Sequence, residues 1–412
     1  MIIRKNKSII ICLTIVLFVL LMLVHPTSGM ANSSPNIDST NVELLRSDNK
    51  IVDGKMKVTA DVRVQVGEKV SLLVIGYDKS DNIIEMKTSS TYIFGGNTNV
   101  FQLTMDNGEQ INKVDIQALG ATEDPYKILA QTTITNKDHV EAVVAVKNGP
   151  MSQKMNIVAK GINKNGKVVE VRGTGSHAFD QTILIYKIKL EAVNDIAKVQ
   201  FLVLVDDQTY LVDYGTYIKD GKLIVTAVLK NGAKGQQIMS KVTPFTAKGK
   251  ELKIQTTSSY AFSNSTYDLK MAVNDKSANR VDLKFYDETG KNEIKKRDGI
   301  LVTIDGQGLT VKQPPVKKEG RVSVPMRAIF EALGADIEWK QETKTVTATR
   351  GSKEIILQIS SKLAYIDGEQ VTLSVEPAVI NGSTMVPIRF VAEALGSQVY
   401  WDNASQTVLI IR

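Results

Sequence analysis

Chemistry needs side chains of suitable type held close together, and this chain of 412 residues is poor in the usual ones, with three histidines and one cysteine. His25 and Cys12 fall in an apolar N-terminal stretch, which leaves His139 and His177 as the imidazoles of the remaining chain. Two separated histidines without cysteine cannot supply the clustered nitrogen and sulfur ligands that copper or zinc takes. His139 stands alone, and His177 occupies a place that is tyrosine elsewhere in the chain, which makes it a packing variant. No Gly-x-Ser-x-Gly elbow, His-Glu-x-x-His helix or phosphate-binding glycine loop occurs. Asp78-Lys-Ser-Asp-Asn82 invites calcium, but it lacks the oxygen-ligand spacing of a recognised loop and reads as a solvated turn. Carboxylates abound, yet no spacing brings two together, so a glycosidase pair is unsupported. The expectation is a chain with no catalytic residues, no metal and no cofactor.

The residues that stand out do so by being written twice. Arg327 and Trp339 recur 62 positions later as Arg389 and Trp401. Each arginine lies four residues before a glutamate, Glu331 or Glu393, on one helical face. An intrahelical ion pair worth a few tenths of a kcal/mol is one reading. A polar docking surface for a glycan or peptide, built on Arg327, Trp339, Arg389 and Trp401, is the other. A tryptophan on an alternating strand is more often core, so the two readings stay open.

The elements that must position these residues are duplicated with them, without a gap. Ile304-Asp-Gly306, Gly320, Val324 to Gly334 and Trp339 return as Ile366-Asp-Gly368, Gly382, Val386 to Gly396 and Trp401. Such self-similarity marks one supersecondary unit used twice, each copy completing the core of the other. Pro325 and Pro387 open a helix, where a missing N–H costs nothing. Ala328, Ile329, Ala332 and Leu333, like Phe390, Val391, Ala394 and Leu395, follow at helical spacing, predicting about three turns. Gly334 and Gly396 end the helices in a left-handed conformation. Asp305-Gly306 and Asp367-Gly368 predict hairpin turns. Alternating strands follow each helix, so each copy reads β-β-α-β-β.

The doubled Val-Pro-x-Arg-x-x-x-Glu-Ala-Leu-Gly, followed by Trp and a Thr-Val strand, resembles the copper amine oxidase N-terminal-like domain, also called the stalk domain. The resemblance covers about 300–412. It implies an accessory α/β module of a bacterial surface or secreted protein, lying outside any catalytic core. The oxidase chemistry of that family's namesakes would need three copper-binding histidines and a tyrosine that becomes a quinone. This chain lacks the histidines.

Upstream, from about 49 to 290, a fainter repeat is anchored by Tyr92-Ile-Phe94, His177-Ala-Phe179 and Tyr260-Ala-Phe262, spaced 85 and 83 residues apart. Each anchor follows a hairpin pattern and precedes an alternating strand, as in Tyr186 to Leu190 and Tyr267 to Met271. The recurrence of Tyr92, Tyr186, Tyr260 and Tyr267 points to core or sheet-edge packing. Period-two alternation with frequent turns and no helical run predicts antiparallel β-sandwiches, generally similar to immunoglobulin or fibronectin type III modules.

Met1 to Ala31 has the layout of a secretory signal: basic Arg4, Lys5 and Lys7, an apolar run Ile9–Val24, and Gly29-Met-Ala31. The run is shorter than the ~20 residues of a spanning helix, although an uncleaved anchor stays open. The formal net charge is +7, the 299–412 stretch is balanced, and the surplus includes Lys295-Lys-Arg297, read as a solvated hinge. Without a concentrated basic patch, a nucleic-acid partner is excluded. The expected organisation is mainly β and multidomain: signal 1–31, flexible lead-in 32–48, three tandem antiparallel β-sandwiches (49–136, 137–214, 215–290), basic linker 291–298, and the stalk-type module 299–412. The expected function is a secreted or surface-associated, non-enzymatic spacer or adhesion protein of a bacterium, Gram-positive by preference. Its expected partner is a cell-wall polymer, a polysaccharide or a surface protein, and it meets a membrane only through an uncleaved signal. Two alternatives are an accessory subunit presenting or regulating a separate enzyme, and a divergent cell-wall hydrolase.

Overall fold

The computed structural model describes residues 41–318, 320–403 and 405–412. The signal stretch 1–31 therefore lies outside the described residues. Strand β1 (Val42–Val52) begins inside the stretch expected to be a flexible lead-in. The described chain is mainly β, made of small sheets and two short helices, and the pairings between its strands are antiparallel with one exception noted below.

Six strands form a first set: β1, β2 (Lys55–Val64), β3 (Glu68–Tyr77), β4 (Ile83–Ile93), β5 (Thr98–Met105) and β6 (Lys113–Leu119). They make two three-stranded sheets, β1-β2-β5 and β4-β3-β6. A second set follows with β7 (Tyr126–Thr135), β8 (Val140–Asn148), β9 (Gln153–Ile162), β10 (Val168–Ala178), β11 (Ile183–Leu190) and β12 (Lys198–Leu204). A third comprises β13 (Tyr210–Lys219), β14 (Lys222–Lys230), β15 (Gln236–Thr246), β16 (Gln255–Ala261), β17 (Thr266–Ala272) and β18 (Ala278–Tyr286). Both repeat the pairing of the first, as β11-β8-β7 with β10-β9-β12, and β13-β14-β17 with β16-β15-β18. The faint sequence repeat is thus a structural one. β7 pairs with β8 and β13 starts at Tyr210, so each later set opens earlier than 137 and 215. Asp53-Gly54 and Asp220-Gly221 turn two of the opening hairpins with both residues at positive φ, as a two-residue loop requires.

Within each set the two sheets share a core. Val58, Val62, Leu72, Val74 and Phe101 join in the first, Val144, Ile157 and Phe201 in the second, Val225, Ile238 and Phe285 in the third. The sets also pack on one another. Leu73, Ile75 and Met86 of the first meet Val143, Ala145 and Ile183 of the second. Val158, Val171 and Leu202 of the second meet Tyr210, Val212 and Val228 of the third. Sheets covered on both faces need apolar residues without alternation, and Val143-Val-Ala-Val146 and Val225-Thr-Ala-Val-Leu229 are buried throughout. At the two ends alternation returns. β2 turns Lys55, Lys57 and Arg63 outward, and β15 turns Gln237 and Met239 outward. Polar outer faces are how a stack of repeats terminates.

The duplicated segment 301–411 forms one core from both copies, in which Val324, Ile329, Phe330, Val346 and Leu357 mix with Val386, Val391, Leu395 and Val408. At its centre the strands Arg321–Pro325 and Ser383–Pro387 pair antiparallel, Val324 opposite Val386. The outer sheets are exchanged between copies. Leu301–Ile304 of the first copy pairs in parallel with Thr407–Ile411 of the second. Leu363–Ile366 of the second copy joins the first copy's sheet through an intervening strand, Lys353–Gln358. The first junction is parallel and the second antiparallel.

Each copy carries an additional hairpin before its helix (Val316–Lys318 with Arg321–Pro325, Ala378–Ile380 with Ser383–Pro387), so β-β-α-β-β understates it. The helices Met326–Ala332 and Ile388–Ala394 have seven residues each, about two turns rather than three. Pro325 and Pro387 cap them at the N-terminus. Gly334 at φ 76° and Gly396 at φ 82° end them. Ala335 N–H donates to Phe330 O and Gly334 N–H to Glu331 O, and the bonds recur one copy later. This is the Schellman arrangement.

Candidate functional site

The segment 291–298, read as a solvated hinge, is fixed to the third set. Leu211 bridges to Lys296, and Lys296 reaches the Asp213 carboxylate at 2.7 Å, which also takes Lys160 at 3.0 Å. The Arg297 guanidinium lies over the Tyr210 ring, 4.6 Å from its centroid, and donates to Ser405 O. Spacing alone cannot show that acceptors far away in sequence await these cations.

Of the four candidate docking residues, Arg327 and Arg389 lie exposed on neighbouring helices, and Arg389 approaches Glu393 at 3.8 Å. The tryptophans sit on edge strands of two different sheets, so the four do not form one cluster through shared strands. Trp339 faces the Val346 row but remains 40% exposed at the sheet edge, its indole N–H donating to Gln341. Trp401 is half-buried against the common core, with the Lys317 ammonium 4.6 Å above its ring. The same sequence position thus gives one covered and one open ring.

The anchors of the upstream repeat divide between the core and the sheet edges. Tyr186 and Tyr267 are core, their hydroxyls bonded to Ser176 and Ser240. Tyr92 and Tyr260 are instead exposed, as is His177, on the edge strands β4, β10 and β16. Each stands edge-to-face with the phenylalanine two residues on, at centroid separations of 5.3, 5.3 and 5.4 Å. Those phenylalanines, Phe94, Phe179 and Phe262, are 69%, 62% and 69% exposed. Alternation places residues i and i+2 on one face, and a T-shaped pair follows.

A local rule explains the histidine. A Cβ on Gly235 would stand 2.2 Å from the Tyr260 hydroxyl, and one on Gly67 would stand 2.8 Å from that of Tyr92. Both tyrosines lie across a glycine. In the middle set the matching positions are Ser152 for the glycine and His177 for the tyrosine, and the Ser152 hydroxyl accepts from Asp180 N–H.

The three aromatic pairs are linked by contacts between sets. Ser71 donates to Gln181 O and bonds Ser90, two residues before Tyr92. Lys69, opposite Tyr92, pairs at 3.6 Å with Asp180, the neighbour of Phe179. At the next junction Asn156 donates to Asn264 O, two residues after Phe262. Gly96, Gln181 and Asn264 take the same left-handed conformation at matching positions. The pairs therefore line one flank of the packed sets.

The other residues weighed for chemistry have structural partners. His139 bonds Asp138 and Asn136. Asp78 accepts from the Asn82 side-chain amide and from the N–H groups of Asn82 and Ser80, and these bonds hold its carboxyl below the usual range. Lys147 and Lys230, which sequence reasoning missed, are buried at matching positions of β8 and β14, and burial brings each ammonium pKa down to about 8. Lys147 donates to Leu119 O and Gly120 O, and Lys230 to Asn231 O, all beside connections between sets. Among the described residues no three His, Cys, Asp or Glu side chains are grouped to hold a metal ion.

These features define a mainly β, internally repeated protein whose C-terminal part is an interlocked α/β duplication. That part is identifiable: residues 303–410 match the copper amine oxidase N-terminal domain, a non-catalytic stalk-type module. A protein described as "Protease inhibitor" from Brevibacillus choshinensis is 29% identical over 110 residues, 27% of this chain and 34% of that protein. The chain thus matches about a third of that relative's length. Among solved structures, a DUF4785 family protein from Legionella pneumophila aligns over 67% of this chain and 95% of that one, at 9% identity and a TM-score of 0.18. Dimeric latent PorU from Porphyromonas gingivalis aligns over 61% and 33%, at 7% identity and a TM-score of 0.15. Likenesses so slight bear no argument about the fold.

Proposed function

We propose that this chain is a secreted or surface-associated, non-catalytic spacer and adhesion protein of a bacterium. Three tandem β-sandwiches hold a stalk-type module, and the whole docks onto a cell-wall polymer, polysaccharide or surface protein. The observation that carries this reading is the packing of each repeat onto the next through apolar sheet faces, as Leu73 and Ile75 do on Val143 and Ala145. Such packing makes a stiff body, which a spacer needs. The match of 303–410 to a stalk-type module supports it. The test is co-sedimentation of the purified chain with isolated Gram-positive cell walls across a salt series. Retention that survives high salt supports docking. Retention that vanishes with salt would leave only screened charge attraction, and that result or no retention at all overturns the reading.

A second reading, an accessory subunit that regulates a separate surface enzyme, is favoured by the similarity to the Brevibacillus choshinensis protein described as a protease inhibitor. Titrating the purified chain against secreted bacterial peptidases tests it. Stoichiometric loss of peptide hydrolysis supports the reading, and unchanged rates against every peptidase remove it.

A further inference from the structure

We propose that the flank carrying Tyr92/Phe94, His177/Phe179 and Tyr260/Phe262 binds an unbranched acidic polysaccharide. The inference rests on the adhesion reading above and adds to it a site and a ligand class. Packing explains only half of each pair. Tyr92 and Tyr260 cover glycines, but the phenylalanines contact their neighbouring ring and otherwise face solvent. One exposed phenylalanine is ordinary. The same exposed residue just past the end of the same strand in three consecutive repeats is not, and the fold gives no reason for it.

The geometry selects the ligand. Sheets pack about 10 Å apart, and β4, β10 and β16 lie in alternate sheets of the packed series, so successive pairs stand roughly 20 Å apart. Repeated contacts at a regular interval suit a ligand that itself repeats, because each further contact becomes intramolecular once the first has formed. Upright rings offer edges and faces to the C–H surface of sugar rings. Charge then narrows the class. Across the strand from the three anchors stand Lys69, Lys154 and Gln237, two cations and an amide. Lys69 and Asp180 neutralise each other, so the surplus positive charge beside the anchors is that of Lys154. The chain's net positive charge has the same sign, so an acidic polymer is drawn to this flank and a basic one repelled.

The test is affinity electrophoresis of the full chain through native gels containing polygalacturonate or, in parallel, neutral hydroxyethylcellulose. The wild type is expected to be retarded by polygalacturonate, and F94A/F179A/F262A to bind it at least about tenfold more weakly. A second variant, F94L/F179L/F262L, keeps the apolar bulk without the rings and is expected to lose binding with an unchanged melting temperature. Single variants are expected to lose part of the affinity each. Equal retardation of wild type and both triple variants overturns the proposal, as does no retardation of the wild type. Equal retardation by the neutral polymer overturns the acidic ligand class. Cell-wall sedimentation of the same preparations separates the two readings. Walls retained without retardation in the gel sinks this site and spares the adhesion reading, whereas neither retention by walls nor retardation in the gel sinks both.

Discussion

At the scale of single residues, the structure turns on which small side chains leave room for which rings. Gly235 lies under Tyr260, and the middle repeat replaces both residues, with Ser152 and His177 at the matching positions. Gly235→Ser is therefore expected to push the Tyr260 ring off its seat and away from Phe262. The ring is half exposed and can swing aside, so the cost should be about 1 kcal/mol, the value of one aromatic pair. Tyr260→His in the same chain should recover most of it. A double-mutant cycle in urea reads the coupling, and additive losses would show that the two positions ignore each other. The repeat spacing of these anchors was legible in the sequence, and so was the fact that His177 substitutes for a tyrosine. Their exposure was not, because alternation says which residues share a face and not whether anything covers that face.

At the scale of elements, the helices Met326–Ala332 and Ile388–Ala394 are too short to persist alone. Neither has a side-chain N-cap. They are held by the core they bury into and by their glycine ends. Gly396→Ala places a Cβ in a left-handed conformation with open space around it. The penalty is thus backbone strain alone, about 1 kcal/mol. A lowered melting temperature is expected, with Gly334→Ala behaving alike because the two ends are superimposable in their hydrogen bonds. An unchanged melting temperature for both would mean that the helix ends contribute nothing. Start, stop and turn residues of this module were all readable, since proline, glycine and Asp-Gly act locally. The exchange of outer strands between copies was not, because strand pairing across a duplication depends on which partner the rest of the core brings close.

At the scale of the molecule, the junctions between sets hold buried cations. Lys147 and Lys230 have folded-state pKa values of about 8, against about 10.4 in an unfolded chain. Between these values the unfolded chain binds more protons than the folded one, so stability rises with pH. The gain starts near pH 8. It stops near pH 10, where tyrosines ionise more readily in the unfolded chain, since burial raises the pKa of Tyr126 and Tyr210 strongly. Chemical denaturation from pH 7 to 10 should therefore show increasing stability, by roughly 1 to 3 kcal/mol per lysine. Lys147→Met with Lys230→Met should flatten that rise. A double variant that rises as steeply as the wild type would assign the effect to other groups.

The sequence by itself determined the β-rich class, the doubled C-terminal unit and its match to a stalk-type module, and the repeat of the upstream strands. Each of these rests on local periodicity or on turn and cap residues, whose conformational preferences act within a few positions. Tertiary structure alone decided which faces are covered. It stacked the repeats through Leu73 and Val158, tied Lys296 and Arg297 to Asp213 and Tyr210, covered Trp401 with Lys317 and left Trp339 open. It also left three phenylalanines in solvent along one flank. Burial belongs to pairs of surfaces far apart in the chain, and no window of residues contains both members of such a pair.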